Sequence, residues 1–226
     1  MKKLYAVLGA SAIFLNVLAA PLMAGGFGAG VGLIGISAKT EGTETLKSNS
    51  TKSMKEAQGE GVAVSGYIQY MTGENKDGFV IGLEKIPGKA ELGSTLKTRT
   101  DWVTGNTTAG DNVEQNISAK IEDHIGLYIE SPSLGGIFLR VGISQVDLVT
   151  DETLGTGSSY GNETLDGTSI GLGFRGTSEA GLHVKFIAEY TEYDEVTLTS
   201  TGSDVASTIV GDIETAGARL SIGYQF

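Results

Sequence analysis

From Phe27 onward, apolar residues recur at every second position in stretches broken by clusters of Gly, Ser, Thr, Asn and Asp. That period marks strands whose two faces meet different surroundings. Eight stretches carry it, at about 27–41, 60–71, 78–87, 114–130, 136–149, 167–176, 181–197 and 211–226. Their connections alternate in length. Short links at 72–77, 131–135 and 177–180 separate long polar ones at 42–59, 88–113, 150–166 and 198–210. A membrane-spanning barrel has this asymmetry, whereas a soluble sandwich has no reason to sort its loops. The predicted fold is therefore all-β, an eight-stranded antiparallel up-and-down transmembrane β-barrel, with both termini at the end of the short turns.

Lipid cannot solvate charge, so one face of every strand must be apolar. In the last stretch Ala216, Ala218, Leu220, Ile222, Tyr224 and Phe226 share a face, opposite Thr215, Arg219, Ser221 and Gln225. Comparable faces follow at Val62–Tyr70, Phe79–Leu83, Ile137–Ile143, Ile170–Phe174 and Leu182–Tyr190. Phe27, Tyr70, Phe79, Phe174, Tyr224 and Phe226 all lie near a terminus or a short turn, which predicts an aromatic girdle at the periplasmic interface. Tyr190 lies higher, at the level of an outer girdle. Two places fit less well. Asp123 shares the lipid face expected of Ala119, Ile121, Ile125 and Leu127, unless a local bulge turns it. In the first strand Ile34 and Ile36 break the phase of Val31 and Leu33.

Residues 1–24 read as a leader: Lys2 and Lys3 precede an apolar run that closes on small residues, with cleavage expected after Ala24. A retained anchor is the alternative, because the run approaches the length of a spanning helix. Residues 25–226 then make one barrel domain. There is no cysteine, which removes disulfides, thiolate metal sites and an acylated cysteine anchor. The formal charge is −11, or −13 without Lys2 and Lys3, and argues against a nucleic-acid partner.

The closing Gly-Ala-Arg-Leu-Ser-Ile-Gly-Tyr-Gln-Phe, residues 217–226, resembles the last strand of outer-membrane proteins, whose terminal aromatic and alternating apolar residues are read by the barrel-assembly machinery. With the eight-strand loop pattern, the chain from residue 25 is similar in architecture to the OmpA-, OmpX- and OmpW-type small barrels. The resemblance implies a bacterial outer-membrane location and contact with lipid and lipopolysaccharide. A monomer is expected.

The alternation turns Lys120, Glu122, His124, Arg140, Arg175, His183, Lys185, Glu189 and Arg219 into the lumen. Two readings compete there. In one the groups form ion pairs that fill a narrow barrel; in the other the cations bias a thin path toward anions. The two histidines stand in no catalytic spacing, so no enzyme activity is expected, and neither is a cofactor nor a metal. Trp102, with Lys97, Arg99 and Asp101 on the longest link, is the candidate for a surface partner. The function expected is a structural or surface-interaction role. A narrow porin-like channel and a secreted soluble β-protein are the alternatives.

Overall fold

The computed structural model describes residues 25–46, 52–73, 78–100, 112–153, 159–201 and 207–226. The proposed leader lies outside them, as do Asp101 and Trp102. The strands are β1 Gly26–Leu46, β2 Lys52–Met71, β3 Val80–Thr100, β4 Asn112–Glu130, β5 Ile137–Thr153, β6 Glu163–Thr177, β7 Leu182–Tyr193, β8 Val196–Thr199 and β9 Ser207–Gln225. Each pairs antiparallel with the next in the wall, and β1 with β9 closes the circle. β8 is not an extra wall position. β7 leaves β9 at Glu192↔Glu214 and β8 resumes at Val196↔Gly211, so the two are one strand broken at Asp194 and Glu195. The molecule is a closed eight-stranded barrel, as the alternation predicts.

Its outer surface is apolar because lipid, not water, faces it. Val62, Ile68, Ile137, Leu139, Ile170, Leu172, Phe186 and Leu220 are each more than half exposed. Buried neighbours alternate with them, as in β7, where His183, Lys185 and Ile187 are covered and Leu182, Val184 and Phe186 are not. The first strand also obeys the rule. Val31, Leu33, Gly35 and Ser37 face out, while Ile34 and Ala38 are buried in the lumen. The apparent phase break arose because its upper lumen face is as apolar as its lipid face.

The strands outrun the expected stretches. β1 and β2 stay paired from Gly26↔Met71 to Thr45↔Lys52, and β3 and β4 reach Thr100↔Asn112, through segments whose sequence suggested long loops. Alternation is needed only where one side is lipid. Beyond the bilayer both sides of the ladder are wet, so Thr- and Glu-rich segments hold the pairing without showing the period. The short turns at 131–135 and 177–180 lie where expected, while most of the 72–77 link lies outside the described residues. Gly136 takes φ +89°, and a Cβ there would meet the Phe174 ring at 2.4 Å, so the β4–β5 turn needs glycine.

Two outcomes test the spanning arrangement. Folded, unheated protein should migrate apart from boiled protein on a denaturing gel. Leu172→Arg, in the middle of the lipid face, should lower stability by about 2–4 kcal/mol in urea unfolding from lipid vesicles.

Candidate functional site

The inward face of the wall carries two unlike regions. Toward the short turns, strand alternation gathers charged side chains that no water reaches. Glu130, fully buried, accepts from Lys185 at 2.7 Å and from Arg175 at 3.1 Å, and lies 3.7 Å from Arg140. Glu84 takes Arg140 at 2.8 Å and also Arg219. Glu189 holds Arg140 at 2.8 Å and Arg219 at 3.3 Å. Neutral groups complete the layer: Lys185 donates to Gln69 at 2.7 Å, Tyr67 meets His183 Nε2 at 2.7 Å, and the Arg140 guanidinium lies 3.8 Å from the Tyr128 ring centre. Charges out of water are tolerable only when paired this fully, and together they seal the base of the lumen.

Above the seal the interior turns apolar. Ala38, Val146, Leu148, Leu165, Tyr193, Val196, Leu198 and Ile213 form a buried cluster. Beside it, on the β1–β4 side, lies a cavity of about 450 Å³, within the usual range of small-ligand sites. Ile34, Ile36 and Ile121 contribute apolar wall, while His124, Thr191 and Arg219 contribute polar groups.

The cavity extends to a seam in the barrel wall. β2 and β3 pair only from Met71↔Val80 to Gly66↔Lys85; above that, β2 keeps to β1 and β3 keeps to β4. Residues 59–64 and 86–89, the two unpaired edges, both line the cavity. Val62 and Val64 on this part of β2 remain outward and exposed, so the seam lies within the apolar band of the wall. The local sequence explains the separation. Pro87 has no N–H to donate, and Gly88 follows at φ +103°. The β3–β4 register slips between Ile86↔His124 and Lys89↔Glu122, and Asp123 opposite takes φ +51°. β3 thus bends away with β4.

The same bulge corrects the expected lumen set. Below it His124 faces in. Above it the phase reverses: Ile121 pairs with buried Leu148, and Ala119 and Ile121 pack against the apolar cluster. Glu122 pairs with outward Asp147 but still lines the cavity, and Lys120 faces away from the lumen. Glu122 is bridged to Lys89 at 2.6 Å. Asp123 stays outward and meets Lys85 at 3.3 Å. Arg140, Arg175, His183, Lys185, Glu189 and Arg219 do come together. Glu84 and Glu130, which hold them, were missed, although the alternation carried on from His124 reaches Glu130 and from Gly82 reaches Glu84. The six base aromatics lie together near the short turns. Phe27 and Tyr70 stand 5.1 Å apart edge to face, and Tyr224 and Phe226 stand 5.5 Å apart. Among the described residues, no group of three or more His, Asp or Glu is placed to hold a metal.

Among solved structures, the outer membrane protein OprG from Pseudomonas aeruginosa superposes with a TM-score of 0.56 at 11% identity, covering 90% of this chain and 96% of that one. The fold is that of a small outer-membrane β-barrel. The barrel also resembles outer membrane protein AlkL (TM-score 0.46, 13% identity, 92% and 93% covered) and the outer membrane protease OmpT from Escherichia coli (0.44, 11%, 89% and 97%). At 11% identity the likeness to OprG speaks for the fold alone. No family model matches the chain, and no curated protein matches it in sequence.

The charged seal makes a measurable claim. Glu130→Ala leaves Lys185 and Arg175 buried without their shared partner and should cost about 3–5 kcal/mol in urea unfolding. Adding Lys185→Met to that variant should recover part of the loss.

Proposed function

We propose that this outer-membrane barrel admits a small, mainly apolar molecule to its upper lumen and exchanges it sideways with the bilayer through the β2–β3 seam. The observation that carries this is the coincidence of the cavity with the seam, since the unpaired edges of both strands line it. An open sheet edge at membrane depth is costly unless it borders a cavity. The charged groups beside the lip are paired, Lys85 with Asp123 and Lys89 with Glu122. On the inward side of β2, Ala63, Gly61 and Gly59 leave the space unfilled, and a Cβ at Gly61 would meet nothing within 4 Å.

The buried base argues against a through-channel for ions. Arg140, Arg175, Lys185 and Arg219 are countered by Glu84, Glu130 and Glu189, and Lys185, Glu130 and His183 are almost wholly covered. A purely structural or surface role would leave the seam and the cavity without a purpose. The girdle of Phe27, Tyr70, Phe79, Phe174, Tyr224 and Phe226 we assign to the periplasmic interface, where amphipathic and apolar rings settle. The last strand, ending at Phe226, fits recognition by the assembly machinery, and the lipid face calls for no second subunit.

The test compares cells expressing the wild type with cells expressing Gly61→Trp, which fills the cavity from open space. Entry of N-phenylnaphthylamine, a small apolar fluorophore, should fall in the variant to the rate of cells lacking the protein. Refolded wild type in planar bilayers should carry no steady ionic current. Equal entry in both strains, or an ohmic current, would overturn the reading.

A further inference from the structure

We infer that the ligand of the side-opening cavity is an amphiphile, an apolar body with one anionic, acceptor-bearing head, and that its head group docks beside Arg219 and His124. This rests on the reading of the cavity as a lateral port and adds what the port selects.

The first observation is unspent hydrogen-bonding capacity. Arg219 uses Nη1 on Glu84 and Nη2 on Glu189, yet its buried Nε has no hydrogen-bond partner among the described residues. His124 Nδ1, also buried, has none either. Both side chains line the same cavity. An arginine Nε–H can only donate, so what it lacks is an acceptor. Leaving such a donor buried and unmet is costly, more so for a charged group, and natural interiors rarely accept that without a use for it.

The second observation is charge. Among the described residues the buried network sets four cations, Arg140, Arg175, Lys185 and Arg219, against three carboxylates, Glu84, Glu130 and Glu189. Of the four cations only Arg219 lines the cavity, so it is the one that an anionic head arriving from above would meet. Of the cavity's own acids, Glu60 stands exposed on β2, Glu122 is engaged by Lys89, and Glu189 by Arg140 and Arg219.

The remaining wall supplies the other half of the ligand. Ile34, Ile36, Ala63, Ile86 and Ile121 offer an apolar lining toward the seam, where a hydrocarbon tail continues into the lipid. Head down on the charged seal and tail toward the bilayer is the one orientation that satisfies both ends.

The experiment uses the refolded chain in nanodiscs of zwitterionic lipid, with carboxyl-¹³C octanoate and with octane as probes, followed by NMR. Octanoate should bind the wild type with a shifted carboxyl resonance. His124→Phe and Arg219→Gln should weaken it by about tenfold, the effect of losing one charge-assisted hydrogen bond. Octane should bind the wild type and His124→Phe alike, and Gly61→Trp should exclude both probes. If Arg219→Gln fails the heat-shift test of folding, Arg219→Lys, which keeps the charge and loses the Nε donor, decides in its place. Octanoate binding that Gly61→Trp abolishes but neither polar substitution weakens would overturn the head-group assignment and leave the port standing. Octane and octanoate signals indifferent to Gly61→Trp would overturn the port, and this inference with it.

Discussion

Hydrocarbon offers no hydrogen bonds, and from that single constraint the rest of this barrel follows. Every N–H and C=O at membrane depth must find its partner within the wall, so the strands close on themselves through β1 and β9. The same solvent forces apolar side chains outward, which leaves the polar ones to the lumen. Eight strands enclose little more than side-chain volume, and charges sent there must neutralise one another. Among the described residues, Glu84, Glu130 and Glu189 are shared among Arg140, Arg175, Lys185 and Arg219 in the lower lumen. Where the ladder is relaxed, between β2 and β3, the exposed edges border a cavity rather than bare lipid.

Much of this was legible from residue order because lipid imposes a strict period of two. The eight wall positions, the short turns, the lipid faces of β2, β5, β6, β7 and β9, and the inward placing of Arg140, Arg175, Lys185 and Arg219 all follow from alternation. What alternation cannot carry is a change of phase. Asp123 looked like a lone charge on a lipid face, and its actual effect is on its neighbours: the bulge there sends Ile121 inward and Lys120 outward. A strand whose two faces are both apolar, as β1 is near Ile34, likewise loses its signal. The polar segments read as loops proved to be strand for a similar reason, since water on both sides erases the period without breaking the ladder.

The seam was the least visible feature. Pairing is a property of two strands, and no pattern within β2 alone says that its partner leaves after Gly66. The cause is nonetheless local and on the other strand. Proline followed by a glycine at positive φ, opposite an aspartate also at positive φ, is a weak place in any ladder. Three residues thereby decide where the β2–β3 pairing ends, and on the proposed reading the buried ion pairs make the opening lead sideways rather than through.

β1 runs for 21 residues, and at ~3.3 Å per residue and a tilt near 45° it rises to roughly 50 Å, about twice the apolar band of such barrels. The upper half of β1, with the parts of β2 and β9 paired to it, therefore stands in the aqueous layer outside, tied by backbone hydrogen bonds. A laddered strand resists proteases and tolerates few insertions, whereas hairpin ends tolerate both cleavage and change. What the cell's surroundings can cut, recognise or drive to vary is thus confined to the hairpin tips, and the wall that frames the cavity is sheltered from that pressure.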